Sequence, residues 1–144
     1  MTYFDTSYLL KCYISEAGSD AVRRLAVAQP QIACCALGRV ELVAAFHRKL
    51  REERIDPPAL RHLLDQLLAD DADGLWTWFE LTPDVLLGAA AAFKAMPADV
   101  YLRSADAIHL ACAAAAGLRA INSSDRHLLA AAKYFGLSGH NVIT

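Results

Sequence analysis

Four acidic residues that are far apart in the chain follow short apolar segments or begin helical ones. They are Asp5, Glu41, Asp106 and Asp125. The carboxyl ends of parallel strands lie along one edge of an α/β sheet, so these side chains can meet there. A cluster of carboxylates is electrostatically unfavourable unless a proton or a cation neutralises it. Because carboxylate oxygens suit Mg²⁺ or Mn²⁺, the four residues predict a divalent-metal site that can act on a phosphodiester.

Alternating strand-like and helix-like segments would position the four acids. Short apolar segments predict strands at residues 2–5, 31–35, 75–81, 119–122 and 141–143. Asp5 and Asp125 then fall just past the first and fourth strands, whereas Glu41 and Asp106 fall in the first turns of helices. A helix N-terminus stabilises a nearby negative charge by about 0.3–1 kcal/mol. The order of elements predicts an α/β fold with three layers, in which a mostly parallel five-stranded sheet is flanked by helices.

The composition predicts one compact domain over residues 1–144. The chain is 56 % hydrophobic and 21 % charged, which excludes disorder as the default interpretation. No apolar stretch reaches the roughly 18 residues that a membrane span needs, and no export signal or cysteine spacing typical of zinc sites is present. We therefore expect a cytoplasmic protein with reduced thiols and no membrane partner. A net charge of −2 argues against a general polyanion-binding surface, so a nucleic acid would need metal ions or a local basic patch.

Short motifs around these acids resemble those of PIN-domain ribonucleases, and most closely VapC-type toxins of bacterial type II toxin–antitoxin systems. The segments are Asp5-Thr6-Ser7, Arg39-Val40-Glu41-Leu42, the DAIHLA run from Asp106 to Ala111 with the preceding Ser104-Ala105, and Ser123-Ser124-Asp125-Arg126. They occur in the family's order over essentially the whole chain, and the DAIHLA run together with Asp5-Thr6-Ser7 is the most specific part. One departure is Ser123, where a threonine is common, and it keeps the hydroxyl.

The resemblance implies a PIN-like fold and an endoribonuclease that depends on Mg²⁺ or Mn²⁺ and leaves a 5′-phosphate and a 3′-hydroxyl. It also implies a cognate VapB-like antitoxin, whose tail fills the RNA groove, and a homodimer. By position, Asp5 and Asp106 would be principal metal ligands and Asp125 would complete the acidic pocket as a third. Glu41 would hold a water of the metal or assist proton transfer.

Three other interpretations of these residues stay open at the level of sequence. Each acid taken alone is explained equally well as a helix cap or a helix-dipole partner. A phosphatase-like domain with Asp5 as nucleophile is disfavoured, because such sites usually carry a second aspartate where this chain has Ser7. A catalytically silent PIN-like module that binds RNA or protein is the non-enzymatic alternative.

Residues near the acids are predicted to have structural or binding roles. Turn and cap chemistry accounts for the hydroxyls of Thr6, Ser7, Ser123 and Ser124, so they are assigned no catalytic role. His109 is expected to pack or to form hydrogen bonds beneath the cleft. The basic segment 47–54 could contact RNA phosphates, but its interspersed glutamates favour a solvated helix face. The helices predicted between residues 37 and 73 form a hairpin that could receive an amphipathic partner segment.

Overall fold

The computed structural model describes residues 1–143 as an α/β fold of alternating strands and helices. Its strands are β1 (Thr2–Tyr3), β2 (Ile32–Cys35), β3 (Trp76–Phe79), β4 (Ala120–Asn122) and β5 (Ser138–His140). Its helices are α1 (Thr6–Tyr13), α2 (Ser19–Val27), α3 (Leu37–Arg51), α4 (Pro57–Ala72), α5 (Pro83–Ala95), α6 (Ser104–Ala115) and α7 (Arg126–Ala131), and a 3₁₀ turn follows at Ala132–Phe135.

Parallel pairing forms two groups of strands, β1-β2-β3 and β4-β5, which lie side by side in the order β5-β4-β1-β2-β3. Strand β2 pairs with β1 and β3, and β4 pairs with β5, all in parallel. A parallel bridge between Phe4 and Asn122 joins the two groups, and the Asp5 N–H donates to the Asn122 carbonyl at 3.1 Å. The predicted α/β class is therefore confirmed, and the carboxyl ends of β1 and β4 lie side by side.

Neighbouring residues of a strand point to opposite faces of the sheet. Both faces of this sheet are apolar, and helices cover each of them. Tyr3 packs into a core with Val85 of α5 and Leu110 of α6. Phe4, the next residue, packs instead with Leu42 of α3 in a second core that includes residues of α1 and α4. Tyr3 and Phe4 are both fully buried, so the edge that follows them is anchored in both cores.

The prediction for the fifth strand was wrong, since β5 lies at Ser138–His140 and not at 141–143. Gly136, with a φ of 72°, reverses the chain directly after the 3₁₀ turn, so the chain returns to the sheet three residues early. The following segment binds Tyr8 instead: the Tyr8 hydroxyl donates to Asn141 Oδ1 at 2.9 Å and accepts from the Val142 N–H at 2.7 Å. Strand β5 is exposed and has no apolar residue, so the sequence contains no hydrophobic pattern that would predict a strand there.

All four cysteines are free thiols. Within residues 1–143, no helix is both long and apolar enough to cross a bilayer.

Candidate active site

Asp5 lies at the end of the first strand and caps α1. Its Oδ1 accepts hydrogen bonds from the Tyr8 N–H at 3.1 Å and from the Ser7 hydroxyl at 2.7 Å. Its Oδ2 accepts a short hydrogen bond from the Ser123 hydroxyl at the end of β4. Asp5 is only 5 % exposed, and burial raises its pKa in spite of these three bonds. The carboxylate is therefore held in one orientation by elements that are more than a hundred residues apart.

Asp106 and Asp125 are joined by the guanidinium of Arg103. Arg103 Nε donates to Asp106 Oδ2 at 2.8 Å and Nη2 donates to Asp106 Oδ1 at 3.3 Å. The same Nη2 donates to Asp125 Oδ2 at 2.9 Å, while Asp125 Oδ1 caps α7 by accepting the N–H groups of His127 and Leu128. The two carboxylates raise the pKa of Arg103, and this one cation offsets part of the negative charge of the acidic pair.

Glu41 projects from the first turns of α3 and is held by two donors. Its Oε1 accepts from the Thr6 hydroxyl at 2.9 Å and contacts His109 Nε2 at 2.5 Å. His109 follows Asp106 by three residues on α6, so both side chains lie on the same side of that helix. On its other nitrogen, Nδ1, His109 contacts the Tyr3 hydroxyl at 2.7 Å. The prediction that His109 forms hydrogen bonds beneath the cleft is thus confirmed.

Ionisation of the Glu41–His109 pair is favoured by its own contacts. Burial raises the pKa of Glu41, but the hydrogen bonds from His109 and Thr6 lower it and prevail, so Glu41 is a carboxylate at neutral pH. Burial lowers the pKa of His109, whereas its neighbours Cys34 and Glu41 raise it, and the net direction is upward. Both shifts increase the attraction between the two side chains.

A groove of about 640 Å³ begins at this edge of the sheet and runs along α1 and α3. At the site end it is lined by Thr6, Ser7, Glu41, Arg103 and Ser124, and at the far end by Lys11, Glu16, Arg48, Lys49 and Arg51. The Glu16 carboxylate accepts from Lys11 at 2.7 Å and from Lys49 at 3.2 Å, which fixes these two lysines to the wall. We call the end that Glu41 lines, next to Asp5, Asp106 and Asp125, the acidic end, and the side that carries Lys11, Arg48, Lys49 and Arg51 the basic flank.

All four predicted acids lie at the same sheet edge, in linked pairs and not in direct mutual contact. Arg103 links Asp106 to Asp125, and Ser123 links Asp5 to Asp125, since its hydroxyl donates to Asp5 and accepts the Asp125 N–H at 2.9 Å. Glu41 joins the group through Thr6, the residue after Asp5.

Sequence reasoning missed two residues of this site. Arg103 stands three positions before Asp106, a spacing at which opposite charges on a helix pair, and this signal could have found it. Tyr3 has the pattern of an ordinary core residue of a strand, so nothing in the sequence distinguished it.

The oxygens at this edge fit a hard dication in chemical type. Mg²⁺ is commonly held by one or two carboxylates together with several waters, and Asp5, Asp106 and Asp125 supply such oxygens. Across residues 1–143, however, no three His, Cys, Asp or Glu side chains converge as metal ligands. Arg103 occupies the position between Asp106 and Asp125, so in this arrangement it supplies the positive charge that the pair requires.

Comparison with known families identifies a match over most of the chain. The PIN domain profile matches residues 2–134. No curated protein sequence matches.

Several solved structures share the fold. VapC20 of Mycobacterium tuberculosis, described as a Sarcin-Ricin loop cleaving toxin, superposes with a TM-score of 0.71 at 16 % identity over 91 % of this chain and 95 % of its own. PAE2754 from Pyrobaculum aerophilum gives 0.64 at 22 % identity over 96 % and 83 % of the two chains. A toxin–antitoxin complex from Klebsiella pneumoniae gives 0.57 at 16 % identity over 87 % of each. At these identities the likeness establishes the fold alone.

Proposed function

The chain belongs to the PIN domain family, and on that premise we propose that it is an endoribonuclease that uses Mg²⁺ or Mn²⁺ to hydrolyse RNA phosphodiester bonds. The observation that carries the proposal is the placement of four acids at one sheet edge, at the mouth of a groove with a basic flank. A ribonuclease of this kind needs both regions, because the acids would bind the metal ion and the basic residues would bind RNA phosphates.

In this proposal Asp5, Asp106 and Asp125 would hold the ion, which would supply charge stabilisation for the phosphate and lower the pKa of water. Ser7 and Ser123 fix the two oxygens of Asp5. Binding of the ion there would require Arg103 to give up part of its pairing with Asp106 and Asp125. Arg103 lines the groove, so its guanidinium could then bind a phosphate oxygen of the RNA.

Glu41 is the proposed acceptor of the proton of the attacking water. Its carboxylate is ionised and reaches the groove, as a general base must. The water oxygen attacks phosphorus, its proton passes to Glu41, the bond from phosphorus to the 3′-oxygen breaks, and the 3′-oxygen takes a proton from solvent water. The products are a 5′-phosphate and a 3′-hydroxyl.

The wider role that we propose is that of a VapC-like toxin in the cytoplasm, neutralised by a VapB-like antitoxin. The fold that it shares with a chain of a toxin–antitoxin complex supports this role. Helices α3 and α4 expose Val40 and Leu68, which offer apolar surface for an antitoxin segment or for the second copy of a homodimer. Growth arrest upon expression, relieved by Asp5→Asn or by co-expression of an antitoxin encoded in a neighbouring reading frame, would support this role. Growth that is unaffected by the wild-type chain would contradict it.

The activity is tested by RNA cleavage with Mg²⁺ or Mn²⁺, with excess EDTA, and with the Asp5→Asn variant. Cleavage should require the dication, and Asp5→Asn should lose roughly 10³-fold in rate, since several kcal/mol of charge stabilisation are removed. Asp99→Asn, at an exposed aspartate between α5 and α6, is the matched control and should cleave at the wild-type rate. Cleavage that persists in EDTA, or a fully active Asp5→Asn, refutes the proposal.

A second candidate function is a catalytically silent PIN-like module that binds RNA or protein. Two observations favour it: Arg103 already pairs with Asp106 and Asp125, and the described residues contain no three-ligand cluster. Binding of RNA without cleavage at any dication concentration would select this candidate.

A further inference from the structure

A chain of three side chains runs from the sheet core to the groove: Tyr3, His109 and Glu41. Tyr3 is 1 % exposed and His109 is 2 % exposed, and their rings pack edge to face with centroids 6.0 Å apart. Glu41, by contrast, has a side chain that is 31 % exposed. The chain therefore connects a buried anchor to a carboxylate that substrate can reach.

The direction of the hydrogen bonds follows from the donors available. The Cys35 N–H of β2 donates to the Tyr3 hydroxyl oxygen at 2.9 Å. The Tyr3 proton is then free to bind His109 Nδ1, which leaves the proton of a neutral imidazole on Nε2, facing Glu41. An imidazolium carries a proton on Nε2 as well, so His109 donates to Glu41 in either protonation state.

Both donors of Glu41 act on the same oxygen. The Thr6 hydroxyl and His109 Nε2 contact Oε1. No hydrogen bond from the described part of the chain, residues 1–143, reaches Oε2, so that oxygen is available to a water or a substrate in the groove. This arrangement fixes the rotation of the carboxylate and leaves its second oxygen free.

Packing alone does not account for these residues. A leucine or phenylalanine would fill the same interior without the cost of burying an imidazole and a phenolic hydroxyl. A carboxylate that is one-third exposed, moreover, can be solvated by water and needs no buried donor. The buried Tyr3 hydroxyl and His109 imidazole are explained if they orient Glu41. Residues that hydrogen-bond to catalytic or metal-binding side chains commonly orient them in this way.

We propose that His109, itself fixed by Tyr3, is a positioning residue that holds the Glu41 carboxylate in one orientation at the groove. The inference rests on the proposed ribonuclease function, in which Glu41 takes the proton of the attacking water. His109 touches neither the water nor the RNA, and it acts through Glu41 alone.

The kinetic test separates kcat from KM in His109→Leu, His109→Gln and Tyr3→Phe. His109→Leu should lower kcat about 10²-fold, the lower end of what general-base catalysis contributes, and should leave the KM for RNA within about twofold. His109→Gln keeps an amide N–H that can reach Glu41 and should restore kcat to within about tenfold of wild type. Tyr3→Phe should fall between the two. A kcat for His109→Leu within twofold of wild type, or a folded Gln variant as slow as the Leu variant, overturns the proposal.

Tyr13→Phe, which removes a half-buried hydroxyl with two hydrogen-bond partners, is the control. The Tyr13 hydroxyl donates to Asp70 and accepts from Trp76 Nε1 at 2.6 Å, in a separate network. Its removal should lower the Tm about as much as Tyr3→Phe while leaving kcat unchanged. Equal losses of kcat in the two variants would indicate a merely structural role for Tyr3.

A readout independent of cleavage distinguishes failure of this inference from failure of the proposed function. The Nε2 proton of His109, observed by proton NMR in the free protein, should resonate far downfield and exchange slowly, and Glu41→Gln should shift it upfield by weakening the acceptor. If the chain cleaves no RNA yet shows this signal, the proposed function fails and the positioning contact stands. A missing signal, or one unchanged in Glu41→Gln, refutes the positioning contact whatever the activity.

Discussion

The two ends of the groove are built in opposite ways. At the acidic end, Asp5 and Glu41 are each held by two or more donors that come from different elements. On the basic flank, Arg48 and Arg51 are exposed side chains of a single helix, α3. A reaction needs reacting groups at fixed positions, whereas phosphate binding tolerates flexible charges. The difference predicts that substitutions at the acidic end affect kcat and that substitutions on the flank affect RNA affinity.

The largest expected effect comes from Asp106→Asn at the acidic end. Loss of one carboxylate should reduce kcat roughly 10³-fold, because charge stabilisation of several kcal/mol is removed. The Kd for RNA should change by less than about threefold, since the basic flank is intact. Rapid-quench cleavage gives kcat, and fluorescence anisotropy with Ca²⁺ gives Kd. An effect confined to Kd would contradict the division between the two ends.

How much of this site the sequence could predict depends on how far apart in the chain the contacting residues are. Local patterns predict Asp5 and Asp125 at strand ends, and the structure puts both there. The contact between Tyr3 and His109 joins residues 106 positions apart. Only tertiary packing creates that contact, so no local pattern could reveal it.

The position of the basic flank, like the contact between Tyr3 and His109, could not be predicted from local sequence patterns. The glutamates of segment 47–54 favour a solvated helix face, and Arg48 and Arg51 are indeed exposed. The sequence did not show that their side of α3 borders the groove that begins at Glu41. Similarly, β5 was misplaced because a strand of Ser, Gly and His carries no hydrophobic periodicity.

An intermediate effect is expected from Arg48→Ala combined with Arg51→Ala. Affinity for single-stranded RNA should fall about tenfold, and the slope of log Kd against log salt should decrease by about 0.7 for each phosphate that the protein no longer neutralises. The kcat at saturating RNA should stay within about twofold of wild type. Arg61→Ala, at an exposed arginine of α4, is the matched control and should leave the salt slope unchanged. An unchanged slope in the double variant would remove the basic flank from the account.

The smallest effect concerns Arg103, which lies where the two ends meet. Arg103→Gln removes the cation that competes for Asp106 and Asp125. Because the Arg103 side chain is 59 % exposed, each ion pair contributes no more than about 1 kcal/mol, so Mn²⁺ should bind roughly 2–5-fold more tightly. Calorimetric titration with Mn²⁺ measures the change, and Arg119→Gln, at an exposed arginine outside the site, is the control. Weaker Mn²⁺ binding in Arg103→Gln would mean that the guanidinium organises the ligands and does not compete with the ion.

The central claim is that the acidic end of the groove is a dication site. Anomalous diffraction from crystals grown with Mn²⁺ tests it most directly, because the signal locates the ion itself. We expect an anomalous peak within ligand distance of Asp5 and Asp106, with Arg103 displaced from its bridging position. Ordered carboxylates without a peak at saturating Mn²⁺, with Arg103 still bridging Asp106 and Asp125, would contradict it.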